Sequence, residues 1–157
     1  MKAPRIGTIR VEKAVASGYV ACQLRKNLPE ARFEVVERIA DGGPFDPQLL
    51  EVTAYRGRFL RHCPGTRHYL CCGYRILHIG VRCTLHCTYC ILQAYFNQPN
   101  LRVFGNTGEM LLLLEAELAS RPLELHRFGT GEFTDSLLLD PYTRLSSRLV
   151  PFFAGRS

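Results

Sequence analysis

Residues 74–90 read YRILHIGVRCTLHCTYC. Tyr74 to Ile79 is a short run rich in strand formers, and Gly80 follows as a stop, so this stretch predicts a strand over 74–79. Directly beyond it come Cys83, Cys87 and Cys90, three cysteines within eight residues at the spacing C-x3-C-x2-C. The cysteines therefore hang from the loop after a strand, the edge at which α/β folds place their active sites.

Thiolates this close together either bind a metal centre or repel one another. Three thiolates can hold three irons of a four-iron cluster and leave the fourth iron open to a substrate or cofactor. Zinc would want a fourth ligand, which Cys63, Cys71, Cys72 or His86 could supply, and C-x3-C is a less usual zinc half-site than C-x2-C. Inert core thiols are the plain alternative. Cys63, Cys71 and Cys72 could hold a second cluster or shield the first, although a loop of small polarizable side chains explains them more simply.

Upstream, Arg5–Glu12 alternates like a strand, and Ala14–Asn27 has apolar residues at roughly helical spacing with Pro29 behind it. Arg32–Arg38 reads as a second strand and Asp41–Pro47 as a loop. Residues 1–52 form a small α/β lead-in on this reading, and residues 54–74 are irregular.

Downstream, Leu92–Phe96 opens a helical turn, Asn97–Asn100 is a turn and Leu101–Phe104 a short strand. Asn106 and Glu109 have the spacing of a capping box, before an almost all-round apolar helix over Met110–Ala119 that Pro122 ends. Leu123–Phe128 predicts the next strand, which runs into Gly129-Thr130-Gly131-Glu132. Asp140 and Pro141 start a last helix to about Val150. Strand, cysteine loop, helix, strand, glycine loop, helix make two successive βα units, the sign of a parallel sheet or barrel. A third strand would be due where the sequence stops, so the reading expects a truncated product. Among single residues, His78, Tyr95 and Phe96 read as core and His86 as exposed.

The 157 residues suit one globular domain, or part of one. No apolar run reaches the ~18 residues of a membrane span. The first residues lack a signal peptide's apolar run, so a cytoplasmic protein is expected. Seven cysteines, an odd number with Cys71 and Cys72 adjacent, fit metal binding better than a disulfide framework. The net charge is +6, and no Asp or Glu occurs from Val52 to Gly108, a span that holds seven arginines. A cationic field there suits an anionic cluster, a cofactor carboxylate or a phosphate backbone; a solvated basic face is the alternative.

The triad after a short strand, with Tyr89 just before the last cysteine, resembles the radical S-adenosylmethionine superfamily. The resemblance implies that Cys83, Cys87 and Cys90 ligate a [4Fe-4S] cluster whose open iron takes S-adenosyl-L-methionine, with the backbone of Tyr89 near the adenine. Gly129, Thr130, Gly131 and Glu132 resemble the superfamily's glycine-rich loop, which implies that they hold the methionyl amino group; an ordinary βα loop is the alternative. Cys63-Pro-Gly-Thr66, Cys71-Cys-Gly-Tyr74 and Cys90-Ile-Leu-Gln-Ala-Tyr-Phe-Asn97 are similar to the spore photoproduct lyase family and its close relatives. Residues 54–145 carry this likeness. It implies an α/β fold: a radical-SAM partial (β/α) barrel over residues 53–157, truncated after about two βα units, behind the lead-in over 1–52.

The same likeness implies a radical lyase that repairs damaged DNA, with DNA as substrate and an electron donor of the flavodoxin or ferredoxin type. There is a departure from the family pattern. No cysteine follows Cys90 to serve as the family's hydrogen donor, and Ile91 stands where the lyase has a tyrosine. A radical-SAM paralogue with another substrate, an inactive fragment and a cluster-binding nucleic-acid module are the alternatives.

Overall fold

The computed structural model describes residues 3–65, 67, 68, 70, 72–96 and 99–156. Cys71, and Asn97 and Gln98 of the expected turn, lie outside them. Strand β1 (Thr8–Glu12) leads through a 3-10 turn (Lys13–Val15) to helix α1 (Tyr19–Asn27) and strand β2 (Arg32–Val36). Then come β3 (Leu49–Thr53), β4 (Leu60–His62), β5 (Tyr74–Leu77), β6 (Gly80–Val81), α2 (Leu92–Tyr95) and β7 (Leu101–Phe104). Helix α3 (Thr107–Ser120), β8 (Arg127–Gly129), α4 (Asp140–Thr143) and α5 (Ser146–Ala154) complete the described elements.

The strands form two sheets. The first has the order β2-β1-β3-β7-β6, parallel from β2 to β7, with β6 antiparallel at its edge. The second has the order β4-β5-β8, with β5 and β8 parallel. The result is a mixed α/β fold with a parallel sheet, as expected. One core lies between the first sheet, α1 and the segment before α4, and includes Ile9, Val11, Val20, Leu24, Leu50, Val52, Val103, Leu138 and Leu139. A second gathers Phe59, Leu77, Ile79, Phe104, Met110, Leu114 and Leu145.

Several elements differ from the sequence reading, each for a physical reason. Strand β3 was not foreseen, because LLEVT carries a glutamate where a buried strand should be apolar. All five residues are buried, as befits a central parallel strand covered on both faces. Glu51 is tolerated there because Arg102, its partner across the β3–β7 ladder, donates to it at 2.8 and 2.9 Å. The expected helix over 14–27 is broken at Ser17-Gly18, and α1 starts only at Tyr19. The expected strand over 123–128 shrinks to Arg127–Gly129, with Leu123 and Leu125 almost fully exposed.

The last helix breaks at Arg144, which takes a left-handed φ of 50°. Asp140 then serves the second half, its carboxylate accepting from the Ser146 backbone N–H at 2.8 Å. Helix α3 buries only one face: Met110 and Leu114 are buried while Leu112 and Leu113 are exposed.

The strand expected over 74–79 is real but bent between the two sheets. Tyr74–Leu77 pairs in the second sheet, and Gly80–Val81 forms an edge strand of the first. Gly80 therefore continues the pairing instead of ending it. A Cβ at Gly80 would lie 2.5 Å from the Arg102 carbonyl, so this edge accepts only glycine without a shift. His78 and Ile79 form the corner between the sheets, and the cysteine loop starts just after it.

Candidate functional site

The cysteine loop joins β6 to α2. Arg82 and His86 both adopt left-handed backbone, with φ of 74° and 49°. Non-glycine residues rarely sit there, and such strain concentrates at functional loops. Cys83 leans on the first core. Cys87 and Cys90 are tied by a turn in which the Cys90 N–H donates to the Cys87 carbonyl at 2.9 Å. The Gln93 side chain donates to the same carbonyl at 2.6 Å. All three cysteines are half-buried and free. Tyr89 is exposed, and a hydrogen bond with Cys87 holds its phenol above the usual range. His86 is exposed, as expected.

Three free thiols on one loop are chemically a fitting donor set for three irons of a cluster. Among the described residues, no group of three or more His, Cys, Asp or Glu side chains is placed to hold a metal ion.

The glycine loop follows β8. A side chain at Gly129 would collide with the Tyr74 hydroxyl. Thr130 Oγ1 donates to Ser136 Oγ at 2.7 Å, which ties the loop back on itself. Glu132 is half-buried, and burial pushes its carboxyl above the ordinary value against the pull of Arg61. Phe133 comes next and joins the two loops. Its ring lies 6.2 Å from Tyr95 and 5.9 Å from Phe96, both shortly after Cys90, and 4.4 Å from His78. The glycine-loop segment thus meets the C-terminal end of α2, the helix that follows the cysteine loop, through one aromatic cluster. Tyr95 belongs to it while 63% exposed, so it is not the core residue it was expected to be.

The sequence reading also missed a polar chain beneath this cluster. Arg61 donates to the Tyr55 hydroxyl at 3.1 Å, and that hydroxyl lies 3.2 Å from His78 Nδ1. His78 is buried as expected but is not an inert core residue. A histidine inside an otherwise apolar strand end was the available signal.

The basic span is less cationic in three dimensions than in sequence. Arg56 pairs with Glu12, Arg75 with Glu117, and Arg102 with Glu51 and Asp41, all acids from outside the span. Arg58, Arg61 and Arg67 are exposed on and around β4. Among the described residues, no helix is long and apolar enough to cross a membrane.

No family model and no curated protein matches the chain. Solved structures of spore photoproduct lyase do. A cysteine-to-serine mutant superimposes with a TM-score of 0.74 at 16% identity, covering 96% of this chain and 47% of that one. A double mutant with bound AdoMet and dinucleoside spore photoproduct gives 0.75 at 16% identity over the same shares of the two chains. A complex with dinucleoside spore photoproduct gives 0.73 at 17% identity, again over 96% and 47%. The chain spans about half the length of the structures it matches. In fold, this chain is the counterpart of the N-terminal part of spore photoproduct lyase.

Proposed function

We propose that this chain carries the cluster- and cofactor-binding part of a radical S-adenosylmethionine enzyme whose substrate is damaged DNA. The carrying observation is the junction at Phe133, which places the glycine loop against the segment that follows Cys90. Fold likeness supports the same reading, since AdoMet and dinucleoside spore photoproduct are bound in a matching structure.

Cys83, Cys87 and Cys90 would hold three irons of a [4Fe-4S] cluster. When bound there, such a cluster would supply one-electron reduction of S-adenosyl-L-methionine. The backbone of Tyr89 would serve the adenine side of that cofactor. Gly129 and Gly131 present backbone without side chains, and Thr130 holds the loop's shape. Glu132 accepts hydrogen bonds from the methionyl ammonium group, a charge-assisted contact. Arg58, Arg61 and Arg67 offer phosphate contacts, which position a nucleic acid without reading its sequence. A flavodoxin- or ferredoxin-type protein would serve as the electron donor.

One observation favours a second reading, a radical-SAM paralogue with a different substrate. The segment after β8 reads GTGEFTDS, which holds no cysteine to return a hydrogen atom to a product radical.

Anaerobic reconstitution with iron and sulfide, followed by reduction with S-adenosyl-L-methionine present, tests the shared part. A [4Fe-4S] absorption band and release of 5′-deoxyadenosine are expected; their joint absence from a folded chain contradicts it. Oligonucleotides carrying spore photoproduct separate the two substrates: restored thymines support repair, and deoxyadenosine release with an unchanged lesion supports the paralogue.

A further inference from the structure

His78 is the first residue beyond β5, at the corner where the chain passes from one sheet to the other. It is 6% exposed, and its backbone N–H donates to the Phe59 carbonyl at 2.7 Å. Its Nδ1 lies 3.2 Å from the Tyr55 hydroxyl, which accepts a hydrogen bond from Arg61 at 3.1 Å. A guanidinium can only donate. The phenol proton is therefore free for Nδ1, and the imidazole keeps its own proton on Nε2. Burial and the charge of Arg61 favour this neutral form, lowering the imidazolium pKa to about 4.

Nε2 is buried and has no hydrogen-bond partner among the described residues. Buried polar groups in native structures are nearly always paired. An orphan donor thus marks a place for an acceptor that the described residues do not supply, a water or a bound molecule. The surroundings are apolar on the chain's own side: Phe133 stands 4.4 Å from the imidazole and Phe104 5.9 Å, ring centre to ring centre. Phe133 follows Glu132 directly, so the orphan lies beside the glycine loop.

The relay is held in place from behind. Asn106 accepts from the Tyr55 backbone N–H at 2.8 Å and donates to the Tyr55 carbonyl at 3.0 Å. The Tyr55 ring stacks on Phe104 at 4.1 Å. Asn106 had the sequence signature of a helix cap, yet its side chain makes no capping bond to the α3 backbone; it bonds Tyr55 and donates to the Glu109 carboxylate at 2.7 Å.

We propose that His78 is a ligand-positioning residue whose Nε2–H donates a hydrogen bond to a carboxylate or carbonyl oxygen of the molecule held between the cysteine and glycine loops. This rests on the reading above that a molecule binds there. A neutral donor polarised by a cation through a phenol suits an oxygen that is anionic or strongly polarised. Two sources present such an oxygen: the methionyl carboxylate of the cofactor and a pyrimidine carbonyl of the lesion.

Calorimetric titration of the anaerobically reconstituted chain with S-adenosyl-L-methionine, and separately with dinucleoside spore photoproduct, tests the proposal and tells the sources apart. His78→Phe weakens one of the two probes by about tenfold, the value of one buried hydrogen bond. His78→Gln, which keeps an N–H donor, recovers most of the loss. In nitrogen-15 spectra of the imidazole, Nε2 moves with that same probe.

If His78→Phe does not fold, Tyr55→Phe takes its place, since it keeps the ring and breaks the relay. Native protein that binds a probe with Nε2 unmoved, and with neither variant weakened, overturns the assignment alone. Native protein that binds neither probe overturns the functional reading, and this one with it.

Discussion

Phe133 stands edge-on to His78, with ring centroids 4.4 Å apart and planes at 89°. The contact joins the residue after Glu132 to the strand end that precedes Cys83. The two loops that carry the candidate chemistry are 39 positions apart between Cys90 and Gly129, yet the segments flanking the cysteine loop, at His78 and at Tyr95–Phe96, both reach this ring.

Phe133→Ala tests whether that junction matters. A fully buried phenylalanine costs about 3–5 kcal/mol on truncation, and the half-buried Phe133 should cost roughly 2 kcal/mol. Urea unfolding reads the loss. The variant should also bind S-adenosyl-L-methionine more weakly than its stability change explains. Equal binding in the variant and the native chain would show that the loops hold their positions without Phe133.

The stability of the chain should depend on pH through His78. This group titrates near 6.5 when unfolded and near 4 in the folded chain. Between those values the unfolded chain binds more protons, so acid favours unfolding. The His78 contribution is complete above pH ~6.5 and declines as pH falls toward ~4, with a slope of at most about 1.4 kcal/mol per pH unit. Glu132, whose carboxyl is raised by burial, titrates in the opposite sense. Comparing urea midpoints of native protein and His78→Gln from pH 7.5 down to 5 isolates the histidine, and the variant's profile should be the flatter one.

The Glu51–Arg102 pair spans β3 and β7 with side chains 3% and 11% exposed. Arg102→Met leaves a buried carboxylate short of its cation and should cost about 3 kcal/mol or more. Adding Glu51→Leu removes the stranded charge and should recover most of that loss. Urea midpoints of the two single variants and the double variant check this, and additive losses would contradict it.

These effects show what the sequence made legible. The strand at Tyr74, the cysteine spacing, β7 and the glycine loop were readable because each is a local pattern: an apolar run, a ligand spacing, a turn composition. Strand β3 was hidden because Glu51 breaks the apolar pattern, and the arginine that excuses it lies on another strand. The charge of the arginine-rich span was overstated because Glu12 and Glu117 neutralise parts of it from far along the chain.

The Arg61–Tyr55–His78 relay was invisible for the same reason, since nothing local links those positions. Arg144 broke the last helix by a left-handed backbone that its residue type does not announce. Within the candidate site, sequence placed the cysteine and glycine loops on the correct strand ends. It could not show how the three thiols stand relative to one another.

Iron and acid-labile sulfide content after anaerobic reconstitution tests the central claim most directly, measured in the native chain and in Cys83→Ala, Cys87→Ala and Cys90→Ala. About four irons and four sulfides per native chain, with each single variant losing the cluster's absorption and its response to S-adenosyl-L-methionine, is the predicted result. An unchanged cluster in Cys87→Ala, or a folded native chain that takes up no iron, would contradict it.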